Sequence, residues 1–406
     1  MLELGRALSL AGTAVGETEE RLTAVAAASG APRARIVVLP TALLIAFGRA
    51  GWATIEPVPQ LGGALRLDQI SALYELVGEA ERGAVEPAEG LRRLQRIHEM
   101  PPRLGPVASV LSYAAMTAGL CLVLQPTPSD VAIAAGLGML VGALAVATRG
   151  RPSLTVLLPV LAAAVVSLLS FQAVKHGVAD PGLRTLIAPL VTLLPGAILT
   201  TATVELASGE MVAGASRLVF GSVQLLLLAF GIVAGIELSG LPNEQALHDV
   251  EVNLLGWWAP WLGVIVFGFA VSLYSSAPPR TLPWLLVVLL TAWIGQLIGE
   301  RIFGPDVSGF FGAIAMAPIA LAIERFAGAP PAQVTFLPAF WLLVPGALGL
   351  IGVTEIVGDP ATATIEDLVR PIGAIVSIAL GILSGVLLFR ATSRRARQAR
   401  RRSTAR

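Results

Sequence analysis

A chain of 406 residues that is 55% apolar, only 14% charged and of mean hydropathy +0.77 lies far from soluble globular composition and points to a polytopic membrane protein. The net charge of +1 hides an arginine-rich end, RATSRRARQARRRSTAR, which carries eight arginines. The single cysteine, Cys121, excludes an intrachain disulfide, and residues 1–30 hold acidic residues and no long apolar core, so no cleavable signal peptide is expected.

Residues 1–105 read as a small α+β domain. One helix is predicted over about 2–29, with Gly30 as its C-cap. IVVLP (36–40), ALLIAF (42–47) and ATIEPVP (53–59) read as strands. Asp68 is placed to cap a helix over about 69–82, and Pro87 suits the first turn of another over about 87–99.

Apolar runs follow at roughly 107–124, 131–147, 154–171, 185–204, 214–236, 257–276, 282–299, 307–323, 336–353 and 371–389. Each can cross a hydrocarbon core of ~30 Å as a helix, the default where backbone groups must pair internally. Ten spans put both termini on one side, and the arginine-rich tail (391–406) makes that side cytoplasmic. Arg149, Arg151, Arg217, Arg280 and Arg325 then fall in cytoplasmic loops, and Lys175, Arg184, Arg301 and Arg370 fall outside. The loop 237–256 has no Lys or Arg, in keeping with an external position.

The apolar region contains a duplication. LLPGAILTTATVEL (193–206) recurs as LVPGALGLIGVTEI (343–356), 150 residues on, and the same offset carries GIVAG (231–235) onto GILSG (381–385). The spans divide into two five-helix halves, 106–240 and 257–390. Five is odd, so adjacent copies enter the membrane from opposite faces. The expected fold is an all-α polytopic membrane protein of ten helices in two inverted repeats, with the α+β domain on its cytoplasmic side.

Pro195–Gly196 and Pro345–Gly346 are the candidate substrate site. Proline breaks a helix and glycine tolerates the unwound backbone, and paired interruptions in two halves point to a binding site. The alternative is a plain kink. Thr200 and Thr201 are further candidates, although membrane threonines often bond back to their own helix. Glu205 and Glu355, each about 15 Å beyond its proline along a helix, read as proton-coupling or gating carboxylates or as interfacial acids paired with Arg217 and Arg370. Gln172, Gln224 and Gln296 are weaker candidates. His98, His176 and His248 share no ligand spacing, and GxSxG, HExxH, P-loop and CxxC patterns are lacking. No metal, cofactor or catalytic residue is expected.

The stretches AGTAVGETEERLTAVAAASGA (11–31), VVLPTALLIAFG (37–48) and LRLDQISALYELVGEAERGAVEPAEGLRRLQRI (65–97), with LLPGAILTTATVELASGEMVAGASRLVFGSVQ (193–224) and LVPGALGLIG (343–352), resemble the threonine/serine exporter family over nearly the whole chain. The resemblance implies a bacterial inner-membrane exporter of threonine and serine, driven by the proton motive force, with both termini cytoplasmic. Protons, the amino acids and the lipid bilayer are then its partners, nucleic acid is not, and a homo-oligomer is compatible with it. A dicarboxylate exporter, or a membrane-anchored hydrolase or sensor using the N-terminal domain, is the alternative.

Overall fold

The computed structural model describes residues 1–47, 53–58, 65–124, 127–178, 184–240, 255–326, 328–343, 350, 353–354 and 365–404. The N-terminal unit comprises α1 (Leu2–Leu10), α2 (Val15–Ala28), β1 (Arg35–Leu39), β2 (Ala42–Ala46), β3 (Ala53–Pro57), α3 (Leu67–Glu81) and α4 (Pro87–His98). The strands form an antiparallel meander, with Val37 opposite Leu44 and Leu44 opposite Ile55. Alternation turns Ile36, Val38, Leu43 and Ile45 inward, against a core that includes Leu8, Leu22, Leu73 and Leu76.

Two local expectations are corrected. The predicted helix over 2–29 is two helices, because the chain turns at Gly12, whose φ of +77° suits glycine and not a residue with a Cβ. Asp68 is not a cap. It lies inside α3, which starts one residue earlier, and pairs with Arg66 at 3.1 Å.

The apolar region comprises α5 (Pro106–Val123), α6 (Pro128–Ala147), α7 (Pro152–Lys175), α8 (Arg184–Leu190), a 3-10 turn (Val191–Leu193), α9 (Gly196–Ala207), α10 (Met211–Ser239), α11 (Ala259–Tyr274), α12 (Leu282–Phe303), α13 (Ser308–Ile323), α14 (Ala332–Leu343) and α15 (Ile365–Thr404). Among the described residues six helices are long and apolar enough to cross a membrane, and up to seven if the bent α8–α9 pair is one span. Helices α11, α13 and α14 are apolar but shorter. The molecule is thus a mostly helical multi-pass membrane protein with a small sheet.

Small residues set the helix crossings. A Cβ on Gly231 of α10 would lie 2.6 Å from the Val160 carbonyl oxygen and 2.9 Å from Ala163 Cβ on α7. On Gly381 of α15 it would meet the Phe310 carbonyl oxygen at 2.5 Å and Ala313 Cβ at 2.8 Å on α13. Gly235 faces Ala164 and Ser167, and Gly385 faces Ile314 and Ala317. Every partner keeps the offset of the sequence duplication, so α7–α10 and α13–α15 cross alike. Between the halves, Gly119 of α5 and Gly263 of α11 each lie against the other's carbonyl oxygen.

Substituting leucine at Gly235 or Gly385 is expected to destabilise the protein by about 1–3 kcal/mol or more through overpacking. The readout is the unfolding temperature in detergent, and wild-type values for both would mean that the crossings are loose.

Candidate functional site

The fourth apolar run does not fold as one helix. The segment Thr185–Leu193, α8 with the 3-10 turn that follows it, meets α9 at an angle of 61° across Leu194 and Pro195. Pro195 is the cause: it has no N–H to donate, and its ring crowds the preceding turn. Leu194 N–H bonds instead to Val191 O (3.3 Å), and Leu199 N–H to Pro195 O (2.9 Å) restarts the ladder.

A break inside an apolar bundle frees backbone carbonyls, and each left unpaired costs about 1–3 kcal/mol. Side chains from neighbouring helices take up two of them. Gln224 Nε2 on α10 donates to Leu193 O at 2.9 Å. Tyr113 Oη on α5 donates to Pro189 O at 2.8 Å and lies 2.7 Å from Thr192 Oγ1. Tyr113 is fully buried, edge-on to Tyr274 at 5.1 Å, with Gly142 of α6 making room for its ring. The candidate hydroxyls are less available. Thr200 Oγ1 is buried and bonds back to Gly196 O at 2.9 Å, and Thr203 does the same to Leu199 O. Thr201 is half-buried.

Beyond the break, α9 ends at a turn in which Gly209 takes a φ of +92°, and α10 folds back against it. Gly214 lies on Ala202 and Leu206, and Gly221 on Leu199. This tight hairpin brings Glu205 and Arg217 together, Oε2 to Nε 3.1 Å, with side-chain exposures of 1% and 14%. The other carboxylate oxygen, Oε1, accepts the Val15 backbone N–H at 3.0 Å, so Glu205 satisfies a free donor at the start of α2. One buried carboxylate therefore joins the bent span to the N-terminal unit.

The rest of that unit is fastened to the same face of the bundle. Leu67 N–H donates to Ser275 O (3.0 Å), Arg103 Nη1 to Ala277 O (2.7 Å) and Gln333 Nε2 to Ala11 O (3.4 Å), while Arg280 pairs with Glu75 (3.0 Å). Ala213, Ala277 and Val334 enter its apolar core. Arg21 lies 4.8 Å over the Tyr74 ring and reaches Glu17 (2.9 Å), Glu81 (3.3 Å) and Glu324 (4.0 Å). Burial pushes the Glu324 carboxyl above its ordinary value, with Arg21 pulling it partway back. Burial also raises the Tyr74 hydroxyl and works against the Arg21 charge, which Glu17, Tyr74 and Glu81 nevertheless hold on the guanidinium.

Of the residues predicted for the site, Pro195, Gly196, Thr200, Thr201, Glu205 and Arg217 lie along α9 and the α9–α10 hairpin. Pro345, Gly346 and Glu355 lie outside the described residues, and Arg370 falls in α15. Sequence reasoning missed Tyr113, Pro189 and the Val15 contact. Tyrosine is scarce here, with three in the chain, and one inside an apolar run was the available signal. Among the described residues no group of three His, Cys, Asp or Glu side chains could hold a metal ion.

Removing one partner of a buried ion pair strands the other, typically at about 3–5 kcal/mol. Arg217→Met is therefore expected to destabilise the protein and to loosen the N-terminal unit, measured as faster limited proteolysis after α4. The double variant Glu205→Gln/Arg217→Met is expected to regain most of that loss, and strict additivity in the cycle would deny the coupling.

A model of the family described as "Putative threonine/serine exporter" matches residues 1–239. A pheromone-regulated membrane protein of Debaryomyces hansenii is 23% identical over 335 residues, covering 77% of this chain and 32% of that protein. An uncharacterized protein of Schizosaccharomyces pombe is 23% identical over 367 residues, covering 87% of this chain and 48% of its own length. A shorter match, 31% identical over 106 residues, is to a pheromone-regulated membrane protein of Saccharomyces cerevisiae and covers 26% of this chain and 28% of that protein. The chain thus spans about a third to a half of the length of the first two relatives. No solved structure matches. With a family match over more than half of its residues, including the N-terminal unit, the bent span and α10, this chain belongs to the threonine/serine exporter family.

Proposed function

We propose that the chain is a secondary transporter that exports small hydroxy amino acids, threonine and serine, across a bacterial cytoplasmic membrane, driven by the proton motive force. The observation that carries this reading is the bent α8–α9 span, an interrupted helix inside a multi-pass bundle of an exporter family. Such interrupted helices are a feature of secondary transporters, and here Gln224 and Tyr113 hold the break in a fixed bend.

The ten-span inverted arrangement belongs to the same proposal, and two observations support it. The N-terminal unit touches the α9–α10 turn, the α11–α12 turn and the start of α14, as well as preceding α5 directly. Contact at one face after α9, after α11 and before α14 fits an even number of crossings between each. This makes crossings of the shorter α11 and α13. The equal contacts of α7–α10 and α13–α15 fit two copies of one unit.

Glu205 is held by both Arg217 and the Val15 N–H. That favours a gating role, coupling the N-terminal unit to the bent span, over a freely exchanging proton carrier. A dicarboxylate exporter is the second reading. It needs additional positive charge, and the Arg217 charge is already opposed by Glu205.

Proteoliposomes loaded with labelled threonine or serine are expected to release it faster under a proton gradient, and gradient-independent release of both would overturn the substrate and coupling. Replacing Pro195–Gly196 or Pro345–Gly346 by Ala-Ala is expected to cut flux by about tenfold or more while leaving membrane insertion intact. For topology, single cysteines at Arg151 and Arg280 in a Cys121→Ser background should label from one face, and cysteines at His176 and His248 from the other. Labelling of all four from one side would refute ten spans.

A further inference from the structure

The two halves differ in sequence at the position that closes the first half's interruption. In the first half the Leu193 carbonyl is occupied by the Gln224 side-chain amide. The positions equivalent by the 150-residue offset are Leu343, the last described residue of α14, and Ala374 of α15. Alanine has no amide, so this position cannot donate as Gln224 does.

A different polar pair stands near that point. Trp293 Nε1 and Gln296 Oε1 are buried atoms without a hydrogen-bond partner among the described residues. They lie one turn apart on α12, and Trp293 is 7% exposed. A Cβ on Gly312 of α13 would touch the Leu343 side chain at 2.6 Å and Gln296 Cβ at 3.4 Å, so Gln296 sits at the junction of α12, α13 and α14. Helices α12 and α14 both start at the face that holds the N-terminal unit, where Arg280 meets Glu75 and Gln333 meets Ala11. Trp293 and Leu343 lie at equal distances along them, about 16 Å in. Buried polar groups are nearly always satisfied, and two adjacent exceptions call for an occupant. The side chains mean opposite things chemically: an indole N–H can only donate, and an amide oxygen can only accept.

We propose that Trp293 and Gln296 form a solute-binding site confined to the second half, which takes a small molecule bearing both a carboxylate and a hydrogen-bond donor such as an ammonium or hydroxyl group. The indole N–H binds the carboxylate, and the amide oxygen receives the donor. A dicarboxylate has no donor for the amide oxygen and is held only if the amide turns to present Nε2, so it is disfavoured. This rests on the transporter reading and adds to it the place of binding and the sign of each contact.

The test is ligand-induced thermal stabilisation of the purified full chain in detergent, with L-serine, L-threonine and succinate as probes, alongside the proteoliposome flux. Serine or threonine should raise the unfolding temperature of the wild type, and succinate should not. Gln296→Met should keep the ligand-free unfolding temperature, because Oε1 has no hydrogen-bond partner among the described residues, whereas Trp293→Phe should lower it modestly by removing buried ring volume. Each should raise the half-maximal ligand concentration by about tenfold or more. Unchanged half-maximal concentrations in both variants overturn the site, as does a wild type that neither amino acid stabilises or that succinate stabilises equally. A lowered ligand-free unfolding temperature with unchanged ligand response assigns the pair to packing and also overturns it. Gradient-driven flux with wild-type kinetics in both variants leaves the transporter reading standing without this site. Stabilisation without flux in the wild type supports the site and removes the transporter reading.

Discussion

Inside an apolar bundle every backbone N–H and C=O must find a partner, and the architecture follows from how that demand is met. Intact helices meet it within themselves. The α8–α9 span cannot, because Pro189 and Pro195 interrupt its ladder. Its freed carbonyls are met from outside, by Tyr113 on α5 and Gln224 on α10. These two bonds fix where α5, α8 and α10 stand relative to one another. Gly142 and Gly221 then bring α6 and α9 close around the same point. An interruption that would otherwise melt the helix becomes a fixed bend.

The same logic operates at the rim. The start of α2 has free N–H groups, and Glu205 supplies an acceptor to the first of them. Glu205 is in turn balanced by Arg217, so the charge enters the interface already paired. A stretch that reads in isolation as the end of a membrane helix thus also anchors the N-terminal unit. Through Glu205, the α8–α9 span is tied to the start of α2. Arg21 makes a second link, to Glu324 at the end of α13, so the unit grips both halves of the bundle.

The duplication has a physical counterpart in the glycine crossings, where a carbonyl oxygen of α7 or α13 occupies the space a Cβ would need. Such close approach tolerates little drift, which accounts for an offset kept without a gap across both helices. Away from those crossings the halves differ. Gln224 closes the interruption of the first, the equivalent position in the second is Ala374, and α12 carries the unpaired Trp293 and Gln296 atoms. Common packing with unlike polar content suits a scaffold built twice and a solute held once.

Much of this protein is legible in its sequence. Apolar runs, the duplication and the Pro-Gly pairs are local patterns of composition and spacing, and hydrocarbon thickness and proline chemistry act on them directly. The strands around Pro40 and the helices after Arg66 and Glu86 are legible for the same reason. The turn at Gly12 was not, because a single glycine among helix formers gives a weak stop signal until α1 and α2 pack on the sheet. Glu205 was found as a residue, and its Arg217 partner as a candidate among two. Its bond to Val15 lies 190 residues away in the chain and has no sequence signature. Tyr113 and Trp293 were passed over because an aromatic residue in an apolar run looks like core, and only the folded neighbourhood tells a satisfied hydroxyl from an unpaired indole N–H. The sequence by itself determined where the chain is apolar, that the fourth apolar run breaks at Pro195 and that a stretch of it recurs 150 residues on. Only the tertiary structure decided which groups repair the breaks, since hydrogen bonds between distant segments depend on a geometry that no local pattern encodes.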